Sequence, residues 1–335
     1  MATLFRILIL LALYLPAALY AAKDAAANEL PKVRVGMLQF GTAHWELAHI
    51  QQAGLDRKHG YKLELLPLAN SSAGRLALTA GNVDWIVGDW VWAAERTLQG
   101  APLRFIPFST RIGEIMVPTD SGIASVADLR RKRIGVAGGP QGKSWQLLNA
   151  AAAKQGIDLA QAAEVSFGAP PLLSRELEAG RLDALLTFWH FAARLEASGQ
   201  FKPAISAVSI SESLGLDSRL PLLGYLANQQ WVVENQTLAS NFASSIYASK
   251  SDLREDRPWE TLRPLMRVND DASFQALRQG YRSGEPEALL SAAMLESANR
   301  AWPYLRHEKH PLPLAIFQGV SQGQGLTLYQ SKAQQ

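Results

Sequence analysis

From Val33 onward, short apolar runs alternate with stretches in which apolar residues recur at helical spacing. The run VRVGML gives way to the helical pattern AHWELAHIQQAGL, and the same exchange repeats through YKLELLPL, SAGRLALTAG, VDWIVG, WVWAAERTLQG and LRFIPF. Strand, helix and strand in succession predict parallel βαβ units rather than an antiparallel sheet. The alternation then restarts. EIMVP is followed by the helical SVADLRRK, the run IGVAG, the helical SWQLLNAAAAKQG, the run EVSFG, the helical LLSRELEAG, the run DALLTFW and a helix from about His190. LLGYLAN, after Leu220, reads as one more strand, and Asn235 to Trp302 reads as helical, broken at Pro258, Pro264 and Pro286.

The restart is visible residue by residue. LTAGNVDWIVGDW (Leu78 to Trp90) lies over LEAGRLDALLTFW (Leu177 to Trp189) without a gap, and VGMLQFGTAHW (Val35 to Trp45) matches IGVAGGPQGKSW (Ile134 to Trp145) with one insertion. Two fragments thus recur in the same order about 100 residues apart, the mark of a duplicated unit. Gly81 and Gly180 are explained as glycines that end a helix. Helix endings alone do not explain a tryptophan just past the carboxyl end of each strand.

Ahead of Val33, residues 1–22 read MATLFRILILLALYLPAALYAA, with Arg6 before an uncharged apolar run from Ile7 to Leu19 and small residues after it. This predicts a secretory signal peptide cleaved between Ala21 and Ala27, since the run is shorter than the roughly 20 apolar residues of a spanning helix and Pro16 interrupts it. The mature chain is expected to be periplasmic and soluble. The sequence has no cysteine. That removes a lipid-modified N-terminal Cys, disulfides, thiolate metal sites and Cys nucleophiles. The remaining length exceeds one ordinary core, so two lobes are expected. Lys and Arg number 33 against 30 Asp and Glu, without a basic tract, and nucleic acid is not an expected partner.

In open parallel sheets, ligands bind at the carboxyl ends of the strands, where helix N-termini gather. Trp45, Trp90, Trp145 and Trp189 all fall there, and two facing repeats would line one cleft with them. Trp85, inside its strand, is expected in the core. Ser71 and Ser72 open a helix, where a hydroxyl caps the helix or binds an oxygen of a ligand. Asp89 either enters the cleft or caps the helix after it. GGPQGKSW (Gly138 to Trp145) presents backbone amides, with Lys143 adding charge. It is not a P-loop, because the first glycine of that motif is missing. Glu114, at the handover between the repeats, contacts a ligand or pairs with Arg111.

With these features assembled, the chain resembles the periplasmic substrate-binding proteins of ABC importers for nitrate, sulfonates and taurine, with relatives that bind thiamine precursors. The resemblance runs from about Val33 to Trp189, and its most specific part is Asp120 to Val136 (DSGIASVADLRRKRIGV). It implies a two-lobed α/β periplasmic binding protein of the type II, Venus-flytrap kind, each lobe a mostly parallel sheet flanked by helices. Residues 32–112 with 225–335 would form lobe one and 113–224 lobe two. The family's ligand loops fall on Gln39, His44, Trp45, Ser71, Ser72, Asp89, Trp90, Lys143, Ser144, Trp145, Trp189 and His190, with Glu114 at the hinge. The implied role is delivery of a small organic molecule to an ABC permease and ATPase complex by a monomer without cofactor. GDWVW departs from the serine, threonine and prolines common in sulfonate binders. That departure predicts an acidic, aromatic cleft and, rather than a small anion such as nitrate, a larger ligand with an aromatic or cationic portion and an acidic group near Lys143.

Other readings are weaker. Thiamine-precursor relatives include proteins acting on bound pyridoxal phosphate, in which Lys143, His44 and His190 would have parts, yet no nucleophile motif appears and no enzyme activity is expected. His44 and His49 are five apart, off the spacing that puts two imidazoles on one helix face, and His307 with His310 lacks a third ligand, so no metal is expected. An accessory periplasmic protein without a transport role is the remaining alternative.

Overall fold

The computed structural model describes residues 29–287, 290–306 and 310–317. The expected signal peptide, His307 and the chain beyond 317 lie outside them. Ten strands form two five-stranded sheets. The first contains β1 (Lys32–Leu38), β2 (Lys62–Leu68), β3 (Trp85–Asp89), β4 (Leu103–Ser109) and β10 (Leu223–Asn228), in the order β2-β1-β3-β10-β4. The second contains β5 (Gly113–Pro118), β6 (Arg133–Ala137), β7 (Glu164–Gly168), β8 (Ala184–Phe188) and β9 (Phe201–Ser206), in the order β7-β6-β8-β5-β9. The sheets have one topology. In each, three parallel strands are followed by one antiparallel strand, β10 or β5, which enters from the other half of the chain.

The duplication read from sequence extends to single contacts. The Arg34 amide and guanidinium both donate to Asp84, at 2.7 Å and 2.6 Å, and Arg133 does the same with Asp183 at 2.8 Å and 2.6 Å. In return each Asp amide donates to its arginine's carbonyl, at 2.9 Å in both cases. The clasp ties the start of β1 or β6 to the turn before β3 or β8. Gly81 and Gly180, with φ of 72° and 69°, end the preceding helices Ser71–Thr79 and Pro170–Glu178 in the left-handed conformation that glycine adopts without strain.

Three elements differ from expectation. SVADLRRK forms only a 3₁₀ turn, Val126–Leu129, closed by a Ser125/Asp128 capping box rather than extended as a helix. β9 and the helix Ala207–Ser213 follow where no strand was read, because Pro203 interrupts the alternation. Pro203 is tolerated since β9 is an edge strand, as are β2 with Pro67 and β4 with Pro107. Pro264 does not break its helix. It sits in the last turn of Arg257–Met266, which ends at Arg267.

The C-terminal helices are expected in the first lobe. Helix Ala292–Arg306 has its Trp302 ring 6.4 Å from Trp90 of the first sheet's half and also packs against helix Lys143–Lys154 of the second. Its buried face, which includes Met294, Ala298 and Trp302, shares one core with Leu147 and Leu148, so apolar burial straps the two halves together. Helix Asp271–Ser283 likewise lies on helix Trp189–Ala197. A Cβ on Gly280 would come within 2.4 Å of the Trp189 ring, so only glycine permits this approach. Among the described residues no helix is long and apolar enough to cross a membrane.

Candidate functional site

Between the sheets lies a cavity of about 130 Å³. Cavities of about 150 Å³ hold a benzene-sized molecule, which sets the scale of an occupant. Leu38, Ile86 and Phe108 from one side and Ile112, Phe188 and Trp189 from the other supply an apolar lining. Its polar lining consists largely of Ser71, Arg75, Asp89, Lys143, Ser144 and His190.

Five helices begin at the cavity: Ala43–Gln52, Ser71–Thr79, Trp90–Leu98, Lys143–Lys154 and Trp189–Ala197. Each follows a strand of a βαβ unit, so its first amides are delivered to the same crevice. Asn70 and Asp89 cap their helices through Ala73 N and Trp92 N, both at 2.9 Å, while Thr42, Gly142 and Phe188 make no side-chain cap. Convergent N-termini give the cavity a positive bias.

Asp89 does more than cap. Its carboxylate meets Arg75 Nη2 at 3.2 Å and, across from the other sheet, Lys143 Nζ at 3.3 Å. Burial alone would raise the Asp89 pKa, but Lys143, Arg75 and the Trp92 amide outweigh it and hold the carboxyl below its ordinary range. Burial lowers the Lys143 pKa, with Asp89 opposing. Among the residues lining the cavity two cations thus meet one carboxylate, with Glu95 a further negative charge acting on Lys143. Asp89 spends its oxygens on a helix amide and these two cations.

His190 is buried, and its Nε2 lies 2.7 Å from the Phe40 carbonyl. That contact makes Nε2 the protonated nitrogen, and Nδ1 is a buried acceptor without a hydrogen-bond partner. Burial, reinforced by Arg194, pulls the imidazole down to about 3, so it is neutral at physiological pH.

Of the residues expected at the site, Ser71, Asp89, Lys143, Ser144, Trp189 and His190 line this cavity. Gln39, His44 and Trp45, again with His190, line a neighbouring one. Trp90 does not line this cavity. It is wholly buried against Trp302 and Phe317, because the ring of the first helical residue after Asp89 turns into the core shared with the C-terminal helix. Trp145 likewise faces away, its ring 5.8 Å from Phe167, in a groove bordered by Tyr304. Ser72 is exposed and outside the cavity lining. Glu114 pairs with Arg111 at 2.6 Å in a separate groove. Arg75 was missed, although it stands one helical turn after Ser71 and so on the same face.

A paired-sheet α/β frame enclosing a cavity at the strand ends defines the periplasmic binding protein fold. The chain belongs to the NMT1/THI5-like family, whose model matches residues 42–256. Among solved structures it is similar to a protein from Bordetella bronchiseptica RB50 (20% identity, covering 82% of this chain and 89% of that one, TM-score 0.68). It is also similar to the alkanesulfonate-binding protein SsuA from Xanthomonas axonopodis pv. citri bound to MOPS (18%, 86% and 98%, 0.64). The periplasmic nitrate-binding protein NrtA from Synechocystis PCC 6803 is more distant (13%, 76% and 70%, 0.56). No curated protein matches the chain.

Proposed function

We propose that this chain is an exported solute-binding protein that captures a small organic anion in the cavity between its sheets and delivers it to an ABC-type importer. The observation that carries the reading is the cavity itself, apolar on both sides, with Arg75 and Lys143 outnumbering Asp89 where five helices begin. An apolar body would contact Phe108, Phe188 and Trp189. A single negative group would lie among Lys143, Ser144 and the uncapped amides. A ligand N–H or O–H would satisfy the free Nδ1 of His190. The acidic group expected near Lys143 is the part of the sequence reading this keeps, since among the described residues lining the cavity the one carboxylate, Asp89, is already engaged by Arg75 and Lys143. The absence of a nucleophile motif and the neutral His190 support binding without turnover. The solved relatives that bind sulfonates and nitrate support transport, and the leader-like residues 1–22 support export to the periplasm.

Native mass spectrometry of protein purified without denaturation tests this. The reading expects a retained small anion that is lost in Lys143→Met. A retained cation, or retention indifferent to Lys143, would overturn it.

A further inference from the structure

On the far side of the wall formed by Trp45 and His190 lies a second cavity of about 290 Å³, sharing Gly41 and His190 with the first. Its lining includes two guanidiniums, Arg194 and Arg267, and two imidazoles, His44 and His190. Among the described residues lining it there is no carboxylate, and neither Arg194 nor Arg267 makes an ion pair. Arg194 is held by carbonyls alone, donating to Met266 at 2.6 Å and to His190 at 3.3 Å.

The walls are aromatic. Phe40 is 38% exposed, the Arg267 guanidinium lies 5.3 Å from its ring centroid, and that of Arg194 lies 5.1 Å from the Phe191 ring. Trp45 closes the inner end. Arg267 reaches this place as the left-handed residue that ends helix Arg257–Met266, at φ 53°. Burial and the Arg267 charge lower the pKa of both His44 and Arg194, so His44 is neutral at physiological pH and the two guanidiniums carry the cavity's charge.

We infer that this second cavity is a separate binding site for an aromatic anion, with its ring between Phe40 and Phe191 and its negative group on Arg267 and Arg194. The two guanidiniums supply planar donors that match a carboxylate. The aromatic walls supply faces that a saturated ring of equal charge uses less well. The site stands whether or not the inner cavity has been read correctly, because none of its basic groups belongs to the Asp89 cluster.

The experiment is calorimetric titration of the whole mature protein with benzoate, cyclohexanecarboxylate and benzamide. Benzoate is expected to bind at least tenfold tighter than either of the others, more weakly as salt is raised, and at least tenfold more weakly to Arg267→Gln. Arg267 is exposed and makes no structural hydrogen bond through its side chain, so the variant folds, and unchanged thermal melting checks this. Arg57→Gln, which removes the same charge from an exposed arginine lining neither cavity, is expected to leave benzoate binding unaltered. Equal binding of benzamide, or no effect of Arg267→Gln, overturns the inference. If Lys143→Met abolishes benzoate binding and Arg267→Gln does not, the anion occupies the inner cavity, which removes the second site while leaving the proposed function intact.

Discussion

Lys143 Nζ and Asp89 Oδ1 are 3.3 Å apart, and the two residues come from different sheets. Asp89 ends β3 and Lys143 opens the helix after β6, so the pair joins the two halves across the mouth of the cavity. Both side chains are under one-tenth exposed, which makes the loss of either partner costly for the other. Lys143→Met is expected to lower stability by about 2 to 4 kcal/mol, because it leaves the buried carboxylate with Arg75 as its one cation beside the Trp92 amide. Adding Asp89→Asn should recover part of that loss. Urea unfolding of the single and double variants checks both values, and purely additive losses would mean that the pair is not coupled.

His190 sets a slope in the acid range. Its imidazole takes up a proton at about 6.5 when the chain is unfolded and only at about 3 when folded. Between those values the unfolded state binds the extra proton, so stability falls as pH drops below about 6.5, by up to about 1.4 kcal/mol per unit. Above 6.5 the group contributes no dependence. His190→Gln should flatten the profile of unfolding free energy between pH 4 and 6.5, by about 2 to 3 kcal/mol over the range. An unchanged slope would show that His190 is not the neutral, buried group described above.

The two arginine clasps invite a paired test. Asp84 is 4% exposed and Asp183 is 32% exposed, although their hydrogen bonds are alike. Asp84→Ala is expected to cost about 2 to 3 kcal/mol, since it strands a buried amide and a guanidinium. Asp183→Ala should cost about 1 kcal/mol, because water replaces much of what is lost. Thermal or urea unfolding decides the order, and a larger loss at Asp183 would contradict it.

Gly280 holds the cavity wall indirectly. With a Cβ there 2.4 Å from the Trp189 ring, Gly280→Ala must displace a rigid indole. A stability loss of about 1 to 3 kcal/mol is expected, together with weaker ligand capture as Trp189 moves. Calorimetric titration with whichever ligand is recovered checks the second effect.

Much of the fold was legible in the sequence because strand and helix alternate with the clear periods of a βαβ chain. The gap-free repeat ending at Trp90 and Trp189 lies on equivalent strands of the two sheets. The site was less legible for a physical reason. A tryptophan just past a strand turns its ring either to the cavity or to the core, and which it does depends on what packs behind the helix. Trp189 meets Gly280 and faces the cavity; Trp90 meets Trp302 from a helix more than 200 residues later and is lost to the core. Charge was only partly legible. Asp89 alone suggests an acidic cleft, whereas Arg75 and Lys143 meet it through contacts that no local pattern displays.

The account rests on two halves that close on the cavity and are latched by Lys143 and Asp89. The chain has no cysteine, so cysteines placed at Leu76 and Leu172, which are 70% and 55% exposed on helices of the two halves, can be spin-labelled cleanly. Pulsed electron paramagnetic resonance then reads the distance across the cleft. The account predicts a distribution that shifts to longer distances in Lys143→Met and narrows to the shorter ones when a captured anion is added to the wild type. One distribution, the same in both proteins and indifferent to every ligand, would contradict it.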